Sequence, residues 1–482
     1  MSAPDGSTRI RRWQSEAPRF RDALWIAGVG LALRLGVVLW ASSRFPPTAD
    51  GDFYHRVATR IAQGLGYTWA WPDGAVTFAA HYPVGYPALI GAAYALFGAH
   101  PVVAMLVNGL IGCIAVLAAH GLAAPRASRL GAALAASLVA LHPALTFYTP
   151  ALMTEGIVAA LLLIAGWLGV LAAQREGAWR WLLALGAVLG LTTLVRPQVL
   201  VLGPVLGAMA ASLVPSTFWR RARGGLVVSL VALGVCLPWT WRNCVRMDRC
   251  VFVSANGGWN LLIGAAPGAT GTWRSLDDLG VPPSCRTVFG EAEKDACFGA
   301  AALSHIRAEP GRWLGLVPRK LEATFNYSGA PGWYLRASNP SAFSHSAETR
   351  LGVVGMVWER LVLLLGLAAL AWWPKPRGKL VLALATVLGA TLFTHYGWLA
   401  TLGLPLVALS THGRRLIQHP AAWVAACVVA LTALTHAAVF GGGRYSMVCF
   451  GVLAALAGCL FRPAESKPEP EPSGVRVDSS RA

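Results

Sequence analysis

The chain has 482 residues, of which 55% are hydrophobic and only 13% are charged, and its formal net charge is +18. This composition lies outside that of ordinary soluble domains and inside that of multi-span membrane proteins, which argues against a soluble fold. The Arg and Lys residues stand in short clusters between apolar runs and not on one polar domain. That distribution argues against a nucleic-acid partner and makes the clusters topological signals.

Apolar runs as long as a membrane-spanning helix recur along the chain. The first run follows a polar, basic N-terminus and lacks a small-residue cleavage site, so we interpret it as an anchor and not as a cleaved signal. A span needs about 20 apolar residues, and about twelve such segments can be placed. The pattern predicts an all-α polytopic membrane protein with spans near 22–42, 101–123, 130–148, 155–173, 180–195, 197–214, 225–241, 351–373, 379–395, 398–412, 420–440 and 446–461.

Basic clusters between the spans predict the orientation of the chain, because Arg and Lys are enriched in cytoplasmic loops. All clusters fall on one side if the short apolar stretch 84–98 is an interfacial or re-entrant helix on the outer side. The clusters are the N-terminus, 125–129, 175–180, 220–223, 375–379 and 414–415. The chain then divides into a cytoplasmic basic N-terminus (1–21), an N-terminal transmembrane module (22–241) with a long outer loop (43–100), an extracytoplasmic loop region (242–350), C-terminal transmembrane helices (351–461) and a disordered cytoplasmic tail (462–482).

The extracytoplasmic loop region is expected to have mixed structure. Its segment 250–271 is predicted to contain strands and turns, whereas apolar and basic residues recur at helical spacing over 300–325. We interpret the second pattern as an amphipathic helix on the membrane surface, with a basic face that meets either anionic lipid head groups or solvent. The basic face consists of Arg307, Arg312, Arg319 and Lys320.

Nine cysteines fall into two groups. Cys244, Cys250, Cys285 and Cys297 share the polar loop region, and an even number there suits disulfides in an oxidising compartment. Pairing 244 with 250 and 285 with 297 is one of three connectivities, and four unpaired thiols are the alternative. The others lie within or at the edges of apolar spans, where a free thiol behaves as a small hydrophobe: Cys113, Cys236, Cys427, Cys449 and Cys459.

The first outer loop concentrates acidic side chains directly after the first span. Asp50 and Asp52 precede His55 at the expected membrane surface. A carboxylate there can accept a proton from an attacking hydroxyl or hold a divalent cation against a phosphate. The alternative is that the Asp-rich turn caps a helix over 53–64.

Other candidate groups stand at the outer ends of predicted spans. Glu155 borders an apolar run, where an acidic group marks either a functional cavity or a helix cap. Arg196 ends another span, and Arg34, within the first, is either functional or a structural partner. Arg444 follows three glycines, in a turn suited to clamp a phosphate, although an interfacial Arg that extends toward water has the same pattern.

Taken together, these segments resemble the membrane glycosyltransferases of the GT-C class, in particular bacterial family 39 relatives of protein O-mannosyltransferases and aminoarabinose lipid A transferases. The resemblance covers most of the chain. It rests on Asp50-Gly51-Asp52 with Tyr54, on 64–67, on 82–98, on Thr154-Glu155, on Arg196-Pro197, on Pro238 to Asn243 and on Arg444-Tyr445.

The resemblance implies a polyprenyl-phosphate-linked sugar as donor, a hydroxyl on a lipid, glycan or protein as acceptor, and a site on the outer face of a bacterial inner membrane. The family often has Asp-Glu in the first loop, and this chain has Asp-Gly-Asp, so the catalytic aspartate and the need for a divalent cation stay open. The implied catalytic residues are Asp50, Asp52 and Glu155. Those implied for the donor phosphate are Arg196, Arg444 and Tyr445. Those implied to line the substrate cavity are Tyr54, His55, His81, Tyr82, Tyr86, Arg242 and Asn243.

Two other classes of protein compete with this interpretation. A secondary transporter has a similar number of spans, but its polar groups usually lie at mid-membrane and its halves are usually related. A glycan ligase or polymerase with a related helical bundle is the second alternative. The chain has no phosphate-binding loop and no dinucleotide-binding glycine motif, so a nucleotide-using cytoplasmic site is not expected.

Overall fold

A computed structural model of the protein describes residues 6–174, 178–212, 217–247, 249–371 and 379–462. Within these ranges the chain is mostly helical, which confirms the predicted all-α membrane fold. The predicted tail beyond Arg462 and parts of the basic clusters at 175–180 and 375–379 lie outside the described residues. The helices are α1 (Gly6–Ala41), α2 (Asp50–Ala62), α3 (Gly85–Phe97), α4 (Pro101–Ala123), α5 (Arg129–Ala140), α6 (Pro143–Phe147), α7 (Glu155–Gln174), α8 (Ala178–Val195), α9 (Leu202–Ser212), α10 (Phe218–Arg246), α11 (Gly257–Ala265), α12 (Pro283–Arg286), α13 (Glu291–Ala308), α14 (Pro310–Gly315), α15 (Val317–Phe325), α16 (Ala330–Ser338), α17 (His345–Ala371), α18 (Lys379–Thr391), α19 (Trp398–His412), α20 (Pro420–Ala438) and α21 (Met447–Gly458).

Two short strands and four 3-10 turns complete the described structure. The strands β1 (Thr68–Ala70) and β2 (Val76–Phe78) pair antiparallel, with Thr68 opposite Phe78. Their hairpin lies in the first predicted outer loop, for which the sequence pattern predicts no strand. The 3-10 turns are Pro197–Val201, Asp277–Leu279, Gly413–Gln418 and Gly443–Ser446.

Seven helices in the described ranges are long and apolar enough to cross a membrane. They are the apolar part of α1 (Phe20–Ala41), α4, α7, α8, α10, α17 and α20. The remaining predicted spans fall on shorter helices, so the total number of crossings stays a prediction. The span predicted at 130–148 is split between α5 and α6, because Pro143 disfavours helical geometry at the preceding residue. The short helix predicted at 84–98 is α3.

Glycines allow the central helices to pack at close range. A Cβ atom on Gly207 of α9 would overlap the backbone of Gly224 in α10, and one on Gly190 of α8 would lie 2.6 Å from the Cβ atom of Val235. Small residues at such contacts let backbones approach, which is how helices associate within lipid. The helix bundle also provides hydrogen-bond acceptors for Arg34. Its guanidinium donates to the carbonyls of Val139 and Ala140 at the C-terminus of α5. Arg34 is therefore a structural partner, the second of the two roles considered from the sequence.

The loop region 242–350 differs from its sequence interpretation in two places. The segment 250–271 contains the helix α11, and no strand occurs among its residues. The predicted surface helix over 300–325 is broken into α13, α14 and α15, because Pro310 and Pro318 each begin a new helix. The assignment of Lys320 to an exposed basic face is wrong: its side chain is buried and donates to the carbonyls of Ala437 and Ala438 at the end of α20. Burial lowers the pKa of Lys320 to about 8.

Two disulfides cross-link the loop region, and they have the predicted pairing: Cys244 with Cys250 and Cys285 with Cys297. The second disulfide closes a segment that contains Glu291. The carboxylate of Glu291 accepts the backbone N–H groups of Ala80 (2.5 Å) and His81 (2.8 Å), so it ties the loop region to the first loop. The five cysteines of the apolar segments are free.

Candidate active site

Asp50 stands at the start of α2, and its carboxylate is occupied on both oxygens. Oδ1 accepts the hydroxyl of Tyr82 at 2.8 Å, and Oδ2 pairs with Nη1 of Arg444, also at 2.8 Å. The residue before the helix is Ala49, and no side chain caps this end of α2. The capping role considered for the Asp-rich turn is therefore not what the structure has. Asp50 instead joins two parts of the chain that are 394 positions apart.

Glu155 begins α7 and is almost completely buried, with 1% of its side chain exposed. Its Oε1 pairs with Nη2 of Arg196 at 2.5 Å, and its Oε2 accepts the hydroxyl of Tyr148 at 3.0 Å. Nε of Arg444 lies 3.6 Å from Oε1. Arg444 therefore stands between the carboxylates of Asp50 and Glu155. A buried carboxylate needs such partners, because its desolvation is otherwise very unfavourable.

Tyr445 supports both cations of the site. The guanidinium of Arg196 lies 5.3 Å from the centre of its ring and that of Arg444 lies 5.0 Å from it. The Tyr445 hydroxyl accepts from Nη2 of Arg444 at 3.1 Å, and the ring stacks on His436 at 4.1 Å. Cations over an aromatic face gain a favourable electrostatic contact. We call Asp50, Glu155, Arg196, Arg444 and Tyr445 the carboxylate cluster.

Three glycines before Arg444 place it in a tightly packed turn. A Cβ atom on Gly441 would overlap the carbonyl of Lys320, and one on Gly443 would overlap that of Tyr327. The backbone N–H of Gly441 also donates to the carbonyl of Gly271 at 2.8 Å. Glycine is required because no side chain fits where the backbones approach so closely. The turn is thus held by the loop region 242–350.

The electrostatics of the cluster favour an ionised Asp50. Burial acts to raise the pKa of the Asp50 carboxyl, but the charge of Arg444 and the Tyr82 hydrogen bond outweigh it, so its pKa lies below the usual value. Burial, followed by the charge of Asp50, raises the pKa of Tyr82, which therefore stays a neutral donor. Burial also lowers the pKa of the neighbouring His81, whose ring meets that of Tyr82 at 4.7 Å. The result is a carboxylate between a neutral phenol and a cation.

Asp52 and His55 lie apart from the carboxylate cluster. Asp52 forms an exposed ion pair with Arg56 at 2.8 Å, one helical turn further on. His55 contacts the hydroxyl of Tyr94 through Nδ1 at 2.9 Å. Although Asp50 and Asp52 are two positions apart, the start of α2 directs them to different surroundings.

The predicted cavity residues Tyr54 and Tyr86 form an aromatic wall with Tyr82. The ring of Tyr54 lies 5.3 Å from that of Tyr82 and 5.4 Å from that of Tyr86. The hydroxyl of Tyr86 donates to the side chain of Asn108 at 3.2 Å, so this ring is anchored within the bundle. Tyr54 and Tyr86 are buried, and they reach the cluster through Tyr82.

Arg242 and Asn243 form a second polar group, which we call the carbonyl clamp. Arg242 donates to the backbone carbonyls of Tyr67 and Ala79, each at 2.8 Å. The amide of Asn243 is buried and donates to the carbonyl of Val253 at 3.2 Å. These bonds join the end of α10 to the first loop and to the segment before α11. Their partners are backbone groups, which suits a structural role.

Sequence reasoning missed two side chains that touch the cluster and a third that packs against one of them. Tyr148 donates to Glu155 but falls within a predicted span. His436 stacks on Tyr445 and its Nδ1 contacts the carbonyl of Phe440 at 2.8 Å. Tyr334 packs against Tyr148 with 6.4 Å between ring centres. Nothing in the spacing of these residues indicates the contacts, because all three depend on how distant helices meet.

A metal site is not evident in the part of the chain that the structure describes. There, no group of three or more His, Cys, Asp or Glu side chains is arranged to hold a metal ion. The carboxylates of Asp50 and Glu155 are both paired with guanidinium groups. This arrangement does not fit a metal ion, because each carboxylate already has a cation as its partner.

A family model matches one segment of the chain. Residues 81–241 match the family model described as "Dolichyl-phosphate-mannose-protein mannosyltransferase". No curated protein is significantly similar in sequence. The matched segment contains Tyr82, Glu155 and Arg196, and it leaves out Asp50 and Arg444.

Two solved structures resemble the chain at low identity. The archaeal oligosaccharyltransferase AglB from Archaeoglobus fulgidus, in complex with an inhibitory peptide and a dolichol-phosphate, is 16% identical with a TM-score of 0.47, over 93% of this chain and 50% of that one. ArnT from Cupriavidus metallidurans, bound to undecaprenyl phosphate, is 18% identical with a TM-score of 0.39. The match covers 90% of this chain and 76% of that one. This chain thus spans about half the length of AglB. The family match over 81–241 confirms the resemblance to protein O-mannosyltransferases that the sequence indicated.

Proposed function

We propose that this protein transfers a sugar from a polyprenyl-phosphate-linked donor to an acceptor hydroxyl. The observation that carries the proposal is the carboxylate cluster, in which Asp50, Glu155, Arg196 and Arg444 meet although they come from four distant parts of the chain. The family match over 81–241 supports the same class of reaction. Opposite charges gathered at one partly buried place are typical of active sites.

In the proposed reaction the acceptor oxygen attacks the anomeric carbon of the donor sugar. The bond from that carbon to the phosphate oxygen breaks, the bonding electrons leave with the lipid phosphate, and the acceptor proton passes to a carboxylate. Asp50 is the base, because it is ionised and partly exposed, with 23% of its side chain accessible. Attack opposite to the leaving phosphate inverts the configuration at the sugar carbon.

Arg196, Arg444 and Tyr445 hold the phosphate in this proposal. A guanidinium has five N–H donors, and the hydrogen bonds of Arg444 to Asp50 and Tyr445 use two of them. The remaining donors suit the oxygens of a phosphate, whose charge grows as the sugar leaves. Glu155 keeps Arg196 in place and prevents the two cations from repelling each other.

The surroundings proposed for this site follow the predicted topology. The cluster faces the extracytoplasmic side of a bacterial inner membrane, and the loop region 242–350 covers it. The acceptor is a lipid, a glycan or a protein, and Tyr54, His81 and Tyr82 border the space where its hydroxyl arrives. Asp52 remains a second candidate base, at the exposed rim of the same loop.

The test is sugar transfer by the purified protein in lipid nanodiscs, with undecaprenyl-phosphate sugars as donors and release of the lipid phosphate as readout. We expect Asp50→Asn to lower turnover by about 10²–10⁴-fold, the usual contribution of a general base. Asp52→Asn distinguishes the two candidate bases: if Asp50 is the base, this variant should keep turnover within about threefold, because an exposed ion pair contributes little. Full activity of both variants, or no transfer by the unaltered protein from any such donor, contradicts the proposal.

A further inference from the structure

Tyr334 connects the loop region to the turn that carries Asp50. It lies in α16 with 1% of its surface exposed. Its hydroxyl oxygen accepts the backbone N–H of Thr48 at 3.4 Å and that of Leu152 at 3.3 Å. One hydroxyl thus joins the backbone just before Asp50 to the backbone just before Glu155.

Gly51 provides the space that this hydroxyl occupies. A Cβ atom on Gly51 would lie 2.6 Å from the Tyr334 hydroxyl oxygen and 3.1 Å from the carbonyl oxygen of Leu152. The first distance is too short for any side chain unless Tyr334 moves. Gly51 is also buried, so a side chain there has no other direction to take. The middle residue of Asp-Gly-Asp is therefore matched to Tyr334.

The backbone between these contacts has an unusual conformation. Ala49 has φ 51° and ψ −133°, a region that residues with a side chain rarely occupy. Such a conformation persists only where surrounding contacts hold it, and it often occurs at functional sites. Here Thr48 is held by Tyr334 on one side, and Asp50 is held by Tyr82 and Arg444 on the other.

We propose that Tyr334 is a positioning residue, whose hydroxyl fixes the Asp50 turn against the Glu155 segment, and that Gly51 is required because it leaves room for that hydroxyl. The inference deepens the proposed function and rests on Asp50 as the base. Tyr334 contacts neither reacting group. It acts through the backbone of Thr48 and Leu152, so it sets the distance between the base and the cations that hold the phosphate.

The proposal explains why this chain has glycine between its two aspartates. A side chain at position 51 would meet the Tyr334 hydroxyl, so glycine is the residue that fits there. Asp50 is then the aspartate that the loop region positions, whereas Asp52 lies on the exposed side with Arg56. Tyr82 and Arg444 contact Asp50 itself, and Tyr334 holds the backbone beside it.

Three variants test this pair in the complete protein. Tyr334→Phe keeps the ring and removes the hydroxyl, and we expect kcat to fall about 10–100-fold because a small displacement of a catalytic group has that effect. The KM for the donor should stay within about twofold, because Arg196 and Arg444 keep their contacts. Gly51→Ala should lower kcat further. The double variant should recover most of the way to the level of Tyr334→Phe alone, because the nearer of the two obstructing oxygens is gone.

The matched control is Tyr396→Phe, which removes a hydroxyl from an exposed tyrosine outside the carboxylate cluster and should leave kcat and KM unchanged. Amide hydrogen exchange gives a readout that needs no activity: exchange at Thr48 and Leu152 should quicken in Tyr334→Phe and stay unchanged in Tyr396→Phe. Unchanged kcat and exchange in Tyr334→Phe, or no recovery in the double variant, overturns the inference and leaves the proposed function standing. Absence of transfer by the unaltered protein instead overturns the proposed function.

Discussion

The carboxylate cluster and the carbonyl clamp are both built on a partly buried guanidinium group near the first loop. Arg444 meets the carboxylates of Asp50 and Glu155, whereas Arg242 meets the backbone carbonyls of Tyr67 and Ala79. The sequence predicted both arginines as site residues, Arg444 for the donor phosphate and Arg242 for the substrate cavity. Their partners distinguish them.

The difference shows what each arginine can do. Carbonyl groups belong to the fold, and an Arg that satisfies them joins segments of backbone and changes little during a reaction. Carboxylates can exchange protons and can share a cation with an incoming anion. A buried Arg between two carboxylates is therefore a better candidate for chemistry than one surrounded by carbonyls.

The strongest test of the cluster is Glu155→Gln. This change keeps the shape but removes the charge that faces Arg196, and a buried cation without its partner destabilises a protein by about 3–5 kcal/mol. We expect that loss in the free energy of unfolding, measured by denaturant titration in detergent. Glu293→Gln, at an exposed position of the loop region, is the control and should change stability by less than about 0.5 kcal/mol. Equal stability of the two variants would mean that the folded protein does not need the charge of Glu155 to balance that of Arg196.

Arg444→Ala and Arg242→Ala compare the two regions directly. Arg444→Ala should lower turnover by about 10²–10³-fold, as expected when a donor to the developing charge is lost. Arg242→Ala should instead lower the free energy of unfolding by about 2 kcal/mol, because it leaves carbonyl groups unpaired, and should leave turnover per folded molecule within about twofold. Initial rates normalised to folded protein check both. The comparison fails if Arg242→Ala lowers turnover as much as Arg444→Ala.

The pH dependence of Arg444→Gln sharpens the comparison further. In the folded protein the pKa of Asp50 lies below its value in the unfolded chain, which is about 3.9. The stability that the Asp50 charge provides is therefore fully present above the unfolded pKa. It is lost as the pH falls through the lower, folded pKa. The unaltered protein should therefore show no acid limb from Asp50 above about pH 4. Without Arg444 the burial of Asp50 prevails, its pKa rises, and the acid limb of kcat/KM moves to higher pH. An unshifted limb would show that Arg444 does not control this carboxyl.

The smallest expected effect comes from Ala49→Gly. Glycine adopts the observed backbone angles without the steric strain of a Cβ atom, and relief of that strain stabilises the folded state by about 1 kcal/mol. The greater conformational freedom of glycine in the unfolded chain offsets part of this gain. We expect stability to change by less than about 1 kcal/mol and kcat to fall about twofold to fivefold, because the Asp50 turn becomes less rigid. Thermal unfolding and initial rates measure the two effects. A kcat unchanged by this substitution would mean that the rigidity of the turn is unimportant.

The sequence predicted most of the helices because each needs only a continuous apolar run. It also predicted that Asp50, Glu155, Arg196 and Arg444 are site residues, since charged groups at the ends of apolar spans are rare. It did not predict the break at Pro143 or the burial of Lys320. Burial of a lysine depends on which helix end lies above it, and here that end belongs to α20, more than one hundred positions later.

The two aspartates of the first loop show the same limit at the scale of one turn. Composition and spacing treat Asp50 and Asp52 alike. The structure separates them because Tyr82 and Arg444 reach one, whereas Arg56 reaches the other. The hydroxyl of Tyr334, which holds the neighbouring backbone, comes from a helix that no local pattern links to this loop. Contacts between distant segments determine the surroundings of each side chain, and no short stretch of sequence predicts those contacts.

The separation of 394 positions between Asp50 and Arg444 has a consequence for biosynthesis. When the ribosome has produced and inserted the first ten helices, both carboxylates and Arg196 are present, but the cation between Asp50 and Glu155 has not been made. In the nascent chain at that stage neither carboxylate has its Arg444 partner, so the proposed phosphate site is incomplete. Under the proposed function, a chain that stops before the glycine turn cannot transfer sugar.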